Sequence, residues 1–235
     1  RRAQMKDVGS ITVVGLGPGR FGLITLESME AMTSGRSLLL RTAVHPSVAE
    51  LKRRGIPFTS YDSWYEKAQS FEELYHAIAE DLAARARAGE EIVYAVPGSP
   101  FVAERTVIFL RDLCAKEGLE LSILPGMSFI ETLYGSLGID PVEGLMILDA
   151  SDAESMPFRF PTGVLFTQVY SREIASELKL ALMERMNDEK EVIYLHNIAL
   201  PDESVRPMPL YEIDRQTDID HLTSLFIPYD SFQDD

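Results

Sequence analysis

The sequence predicts an α/β fold of two lobes, with a mostly parallel sheet in the N-terminal lobe and a smaller, mixed α/β C-terminal lobe. Short apolar runs alternate with amphipathic stretches, and glycine- or proline-rich turns follow three of these runs. Strands that alternate with helices are typical of parallel sheets covered by helices. An interruption of this alternation over 140–160 predicts the division into lobes. The predicted parts are an N-terminal tail over 1–9, lobes over 10–140 and 141–225, and a tail or linker over 226–235.

The N-terminal lobe contains the clearest local signals. Ser70 and Glu73 form a capping box before an apolar stripe at helical spacing, which predicts a helix over 70–88. Ser47 is a typical N-cap for a shorter helix that ends at Gly55. The other segments of this lobe are predicted as strands over 11–14, 37–40, 57–61, 92–96 and 119–124, and as helices over 26–33, 102–116 and 128–137.

The C-terminal lobe gives fewer signals. Residues 163–169 and 191–197 are predicted as strands, and residues 171–187 between them as a helix. Residues 144–161 carry no clear periodicity. This lobe is also the more acidic, because residues 184–235 hold 13 acidic and 4 basic side chains.

Composition excludes several classes of protein. The 235 residues include 22 Lys and Arg against 37 Asp and Glu, a net charge of −15. This balance argues against binding to nucleic acid or an anionic membrane, since both need a positive surface. A single cysteine excludes an intrachain disulfide framework and a cysteine-cluster zinc site. No apolar run is long enough to span a bilayer, and the N-terminus has no apolar signal segment.

The three turns that follow predicted strands are the best candidates for ligand binding. They cover residues 15–19, 97–100 and 125–128. Ligands of open parallel sheets bind beyond the carboxyl ends of the strands, where these turns lie. The first is neither a dinucleotide fingerprint, because its third glycine comes one residue early, nor a P-loop, because no Gly-Lys-Ser/Thr follows. Tight packing alone also explains one such turn, but three successive turns favour a shared ligand cleft.

Conventional catalytic groups are scarce. The four histidines lack the spacing of metal ligands, and no Gly-x-Ser-x-Gly elbow occurs. His76 has Glu73 and Glu80 at helical spacing, so it fits either a metal triad or a solvated helix face, and the latter is favoured. Cys114 lies among leucines on a predicted helix, as a core thiol would. Arg41 and Thr42 follow the second strand and suit an acidic substrate, although Arg41 equally suits a pair with one of the many carboxylates.

Taken together, these motifs resemble those of the tetrapyrrole (corrin/porphyrin) methylases over about residues 10–215. The branch that is fused to a MazG-type nucleotide pyrophosphohydrolase is the most similar. The resemblance is carried by Val14-Gly15-Leu16-Gly17-Pro18-Gly19, Leu40-Arg41-Thr42, His45-Pro46, Tyr94-Ala95-Val96-Pro97-Gly98, Ala103-Glu104-Arg105-Thr106, Pro125-Gly126-Met127-Ser128 and Gln168-Val169-Tyr170.

The resemblance implies a two-domain methyltransferase fold, a cytoplasmic homodimer, and S-adenosylmethionine as methyl donor. A sulfonium donor is already activated, so the protein's tasks are alignment and exclusion of water, which fits the lack of acid–base groups. By motif matching, the cofactor-binding residues are Pro18, Gly98, Ser99, Val102, Ser128 and Phe129, with Gln168 and Asn197 from the second lobe. Arg41 and Thr42 are the candidates for substrate binding, while no catalytic residue and no metal ligand is assigned.

Two departures from the family's pattern bear on activity. The family's middle signature is usually Gly-Asp-Pro, whereas this chain has Gly98-Ser99-Pro100 and so lacks that carboxylate. The MazG motifs are not visible either. That activity needs a Glu-x-x-Glu and a Glu-x-x-Asp pair on helices that bind Mg²⁺ between them. Glu27 and Glu30 have the first spacing, but no helix with the second follows. We therefore expect a methylase domain from a longer fusion that continues beyond residue 235. The alternative is a non-catalytic module that senses a small molecule for the fused hydrolase. Arg41, with Arg20 and Arg105, is available to bind an acidic tetrapyrrole acceptor, but nothing in the sequence identifies a macrocycle.

Overall fold

The computed structural model describes residues 7–233 and divides the chain into two compact units, the first ending at Ile130 and the second beginning at Glu131. The sequence predicts this division after residue 140. Residues 1–6 of the predicted N-terminal tail, and the last two residues of the predicted C-terminal tail, lie outside the described residues. No helix within residues 7–233 has the length and apolar character needed to cross a membrane.

The first unit is built on five parallel strands. They are β1 (Ser10–Gly15), β2 (Ser37–Leu40), β3 (Thr59–Ser60), β4 (Glu91–Val96) and β5 (Glu120–Ile123). Their order in the sheet is β3-β2-β4-β1-β5, so the carboxyl ends of all five strands lie at one edge. The helices are α1 (Leu26–Met32), α2 (Val48–Arg53), α3 (Asp62–Tyr65), α4 (Phe71–Arg87), α5 (Arg105–Glu117) and α6 (Phe129–Leu137), of which α6 runs on past Ile130.

Helices cover both faces of this sheet, as the sequence predicts. Along β4, Tyr94 and its alternate neighbours pack with α4 and α5, whereas Val93 and Ala95 pack with α1 and α2. Residues 92–96 of β4 are therefore all buried, on one face or the other, which explains the continuous apolar run in the sequence. Ser70 caps α4 by accepting a hydrogen bond from the Glu73 amide at 3.1 Å. This cap confirms half of the predicted capping box.

The second unit has a mixed five-stranded sheet. Its strands are β6 (Leu145–Asp149), β7 (Gly163–Thr167), β8 (Glu191–His196), β9 (Ser204–Pro209) and β10 (Thr223–Ile227), in the order β6-β7-β10-β8-β9. β6 and β7 are parallel, and the other pairs are antiparallel. The helix α7 (Arg172–Met183) begins after Ser171, which accepts a hydrogen bond from the Ile174 amide and so caps the helix. Ile174, Leu178 and Leu182 of α7 form a core with β7, β8 and β10.

Three strands of the second unit are absent from the sequence prediction. β6 and β9 are the edge strands of the sheet. β9 contains Pro207 and Pro209, which argue against a strand in sequence but are tolerated at an edge, where one side needs no partner. Phe226 and Ile227, predicted to begin a tail, lie instead in the central strand β10.

The start of α5 also differs from the prediction. The sequence predicts a helix from Val102, but α5 begins at Arg105 after Glu104 in its N-cap position. Ala103 has a φ of +52°, in the left-handed region that a helix cannot contain. The loop after β4 is therefore longer than predicted and extends to Glu104.

Candidate functional site

The turns after β1 and β4 are bonded to each other at the carboxyl edge of the first sheet. The amide of Gly17 donates to the carbonyl of Gly98 at 3.2 Å, and the amide of Gly98 donates to the carbonyl of Gly17 at 2.8 Å. Both glycines have a left-handed φ, +72° and +66° respectively. Glycine is the residue that takes this conformation at little cost, so the two turns owe their shape to it.

The turn after β5 packs against the same pair of turns. A Cβ added to Gly126 would lie 3.4 Å from both the Gly15 Cα and the Gly98 carbonyl oxygen. A Cβ on Gly15 would lie 2.3 Å from that oxygen, which is closer than any real contact allows. The space beside Gly98 is different, because a Cβ there would meet no atom of the protein within 4 Å. Gly15 is therefore needed for packing between the turns, whereas Gly98, whose own amide and carbonyl are bonded to Gly17, leaves open the space that a side chain would fill.

The fold brings four of the predicted cofactor-binding residues, Pro18, Gly98, Ser99 and Ser128, onto turns of this one edge. Ser99 and Ser128 are almost fully buried, and each hydroxyl accepts a hydrogen bond from an amide two residues on. These hydroxyls shape their own turns, so the edge offers a ligand mainly backbone groups. Val102 lies in the loop that leads to α5, and Phe129 begins α6; both are half-buried.

The segment after β2, residues 41–47, holds the first turn in place. His45 lies with its Nε2 2.8 Å from the Gly17 carbonyl oxygen, while its Nδ1 accepts from the Ser47 amide at 3.0 Å. This pattern assigns the proton to Nε2 of a neutral ring, and burial lowers the pKa of His45 although the Gly17 carbonyl opposes the shift. The Ser47 hydroxyl donates to the Gly19 carbonyl at 3.0 Å and makes no capping bond to α2. The predicted role of Ser47 as a side-chain cap is therefore wrong.

Arg41 is paired with a buried carboxylate. Its Nε lies 3.2 Å from Glu104 Oε2, and its Nη1 donates to the Tyr65 hydroxyl at 2.8 Å. Glu104 also accepts from the Thr106 hydroxyl at 2.7 Å. Burial raises the pKa of Glu104, and the attraction of Arg41 opposes that rise. Of the two interpretations of Arg41 that the sequence leaves open, the structure shows the ion pair.

Thr42, the second residue predicted to bind substrate, is likewise bonded within the protein. Its hydroxyl donates to Asp62 Oδ1 at 2.5 Å, and the other oxygen of Asp62 accepts from the Ala43 amide at 2.8 Å. Burial alone would raise the pKa of Asp62, but these hydrogen bonds outweigh it and lower that pKa. Thr42 thus joins the segment after β2 to the first residue of α3.

His76 and Cys114, the other reactive side chains considered in the sequence, pack against neighbouring side chains. His76 stacks on Phe109, with 3.6 Å between ring centroids, and Arg105 lies over the same ring. Within residues 7–233, no group of three His, Cys, Asp or Glu side chains is arranged to hold a metal ion. Cys114 is buried in the core between α5 and the sheet, and burial raises the pKa of its thiol to about 11. The prediction that Cys114 is a core thiol is confirmed.

In the second unit, Gln168 and Asn197 lie at one edge of the sheet. They directly follow β7 and β8, which run in the same direction on either side of β10. Both have a left-handed φ, +64° for Gln168 and +53° for Asn197. The Asn197 amide group donates to Asp202 at 2.7 Å, whereas no hydrogen bond within residues 7–233 engages the Gln168 side chain. Strained backbone of this kind concentrates at functional sites, which favours Gln168 as a ligand contact.

A cluster of one buried histidine and two partly exposed aspartates beside this edge has no counterpart in the sequence prediction. His196 lies between two carboxylates, with Nε2 3.0 Å from Asp220 Oδ1 and Nδ1 3.3 Å from Asp218 Oδ2. Asp220 also accepts from the Leu222 amide at 2.8 Å, so the cluster fixes the turn that enters β10. In sequence His196 is at least 22 positions from either aspartate, and only the pairing of β8 with β10 brings it to them.

Comparison with known proteins identifies the family. A family model for Tetrapyrrole (Corrin/Porphyrin) Methylases matches residues 10–214. The chain belongs to the tetrapyrrole methylases. This match spans both units and includes every residue predicted above to bind a cofactor or substrate.

Two relatives are similar to large parts of this chain. The uncharacterized protein YabN of Bacillus subtilis (strain 168) is 38% identical over 220 residues, covering 94% of this chain and 45% of its own length. A siroheme synthase of Tolumonas auensis is 31% identical over 150 residues, covering 64% of this chain and 30% of its own. The chain thus spans less than half the length of these two relatives.

A solved structure shows the same fold. The uroporphyrin-III-C-methyltransferase from Thermus thermophilus superposes with a TM-score of 0.73 at 20% identity, and 94% of each chain is covered. The predicted two-lobed α/β fold, with a parallel and a mixed sheet, is confirmed.

Proposed function

We propose that this chain is an S-adenosylmethionine-dependent methyltransferase domain that binds its methyl donor along the glycine turns of the first unit. The observation that carries the proposal is the open space at Gly98, within a set of turns that otherwise pack tightly. A ligand can approach the turn closely there without meeting a side chain. Family membership supplies the chemical class of the ligand.

The donor's sulfonium supplies an activated methyl group, so the protein needs no strong acid or base of its own. The residues of the chain hold the turns that position the donor and keep water away from it. Pro18, Gly98 and Ser99 are the proposed contacts from the first unit, together with Val102, Ser128 and Phe129. Gln168 and Asn197 are the proposed contacts from the second.

The acceptor is constrained by the charges around these turns. Of the three arginines considered for an acidic tetrapyrrole, Arg41 is paired with Glu104 and Arg105 lies over Phe109. Arg20 is exposed. A macrocycle with many carboxylates is therefore less favoured by the first unit than an acceptor of low negative charge, and the methyl-transfer test must include both.

Titration calorimetry with S-adenosylmethionine and S-adenosylhomocysteine tests donor binding. We expect both to bind the wild-type chain, and Gly98→Asn to weaken binding at least about tenfold, which is roughly 1.4 kcal/mol. Asparagine tolerates a left-handed φ, so this substitution fills the open space with little backbone strain. Gly55→Asn is the matched control, because Gly55 has a φ of +68° and equally open surroundings. No heat with either ligand, or equal affinity in the two variants, would contradict the proposal.

A second candidate is a non-catalytic binding module that regulates a fused MazG-type nucleotide pyrophosphohydrolase. It is favoured by Ser99, whose hydroxyl is committed to the Phe101 amide and supplies no carboxylate to the turn. Labelled S-adenosylmethionine incubated with tetrapyrroles, nucleotides and uncharged acceptors separates the two candidates. Transfer of label supports the enzyme, whereas binding without transfer to any acceptor supports the module.

A homodimer and a cytoplasmic location are proposed from the family resemblance, and light scattering tests the dimer.

A further inference from the structure

The segment of residues 41–47 contacts the parts of the chain that directly follow β1, β3 and β4: two loops and the start of α3. His45 and Ser47 bond to the first of these, and Thr42 to the second. Arg41 reaches the third through Glu104. One short segment after β2 thus connects the parts of the chain that follow three other strands at the carboxyl edge of the sheet.

The loop after β4 depends on an anchor at its far end. Ala103 holds a φ of +52°, which an alanine adopts only when its surroundings impose it. The next residue, Glu104, is buried and fixed on both carboxylate oxygens, by Arg41 on one and by Thr106 on the other. The Thr106 hydroxyl in turn lies 2.9 Å from the Tyr94 hydroxyl in the core of the sheet. Ala103 therefore lies between the turn at Gly98 and the Glu104 carboxylate, which is linked through Thr106 to Tyr94 of the sheet.

We propose that Arg41 and Glu104 are positioning residues, whose ion pair holds the loop of residues 97–103 in the form that binds the methyl donor. Arg41 then acts on the donor loop and not on the acceptor. This inference rests on the proposed function for its binding measurement, but its effect on the loop can be measured without any ligand.

An ordinary structural ion pair is the competing explanation, and it predicts a different pattern. Loss of such a pair lowers stability throughout the unit, without a change confined to one loop. The pair between Arg85 and Asp81 on α4, with 2.9 Å between the charged atoms, is a suitable control. Asp81 also accepts from a tyrosine hydroxyl, as Arg41 contacts Tyr65, so both networks contain the same kinds of group.

Amide hydrogen exchange tests the proposal directly. In Glu104→Gln we expect exchange over residues 97–103 to speed up about tenfold, with little change in β1 or β4. In Asp81→Asn exchange over that loop should stay at the wild-type rate. S-adenosylhomocysteine affinity should fall about tenfold in Glu104→Gln and stay unchanged in Asp81→Asn.

A double variant keeps the test decisive if Glu104→Gln does not fold, since that change leaves Arg41 buried without its partner. Arg41→Met with Glu104→Met removes both charges together, which buried pairs often tolerate. Wild-type exchange over 97–103 in either folded variant overturns the proposal. If the loop loosens but the wild-type chain binds neither donor nor its demethylated product, the positioning role stands and the proposed function fails.

Discussion

In both units, residues that follow strands adopt a left-handed backbone conformation, but the residue types differ. In the first, Gly17 and Gly98 take the left-handed conformation, whereas Gln168 and Asn197 take it in the second. Glycine allows close approach to the backbone but offers no side chain. Gln and Asn keep an amide group at a cost of about 1–2 kcal/mol for the strained backbone. Under the proposed function, the first unit would give the donor room for close approach to a turn, and the second would give it the side-chain amide of Gln168.

The largest expected effect concerns the packing glycine of the first unit. Gly15→Ala should lower the free energy of unfolding by about 3 kcal/mol or more, because its Cβ would lie 2.3 Å from the Gly98 carbonyl oxygen. Gly22→Ala is the control, since Gly22 has no atom within 4 Å of its added Cβ. Urea unfolding compares them, and a change below about 0.5 kcal/mol in Gly15→Ala would show that the turns are not packed as described.

A smaller effect separates two serines that precede helices in the two units. Ser47→Ala and Ser171→Ala should each cost about 1 kcal/mol, because each loses one hydrogen bond. Ser171 caps α7, whereas Ser47 holds the Gly19 carbonyl of the first turn. Only Ser47→Ala should therefore weaken the binding of S-adenosylhomocysteine. If calorimetry shows equal affinity for the two variants, the segment after β2 does not support the donor site.

Substitution in the second unit should change stability and affinity in opposite directions. Gln168→Gly removes backbone strain and should raise the free energy of unfolding by up to about 1 kcal/mol, since glycine also adds freedom to the unfolded chain. The same change removes the free amide and should weaken donor binding. Ala199→Gly is matched, with a φ of +70°, and should stabilise without loss of affinity. Equal affinity in both variants would remove Gln168 from the site.

The sequence predicts the first unit better than the second, and the reason is physical. A parallel sheet buried on both faces has continuous apolar strands and capped helices between them, so each element carries its own signal. β9 carries two prolines at an edge, and β10 follows a turn fixed by the distant pair of Asp220 and His196. Such strands depend on pairing between distant segments, which periodicity does not reveal.

For the candidate site, the sequence predicts the glycine turns but not their supports. The turns are contiguous motifs after strands, so their residues and their common edge follow from local pattern and strand direction. The Arg41–Glu104 pair joins residues 63 positions apart. The sequence predicts a helix from Val102, and this prediction includes Ala103, which lies in the loop before α5. The position of Ser47 before α2 predicts a cap, yet its hydroxyl bonds to the first turn.

The smallest expected effect is a dependence of the first unit on pH through His45. Burial lowers its pKa below the ordinary value of about 6.5, so the unfolded chain binds more protons than the folded chain just below that pH. Stability of the first unit should therefore fall as pH falls through this window, as the neutral ring bonded to Gly17 and Ser47 becomes charged. His45→Gln retains an amide donor for the Gly17 carbonyl but does not titrate. Thermal unfolding between pH 7.5 and 5.5 should show a smaller decline in this variant than in the wild type, and parallel declines would exclude His45 as the cause.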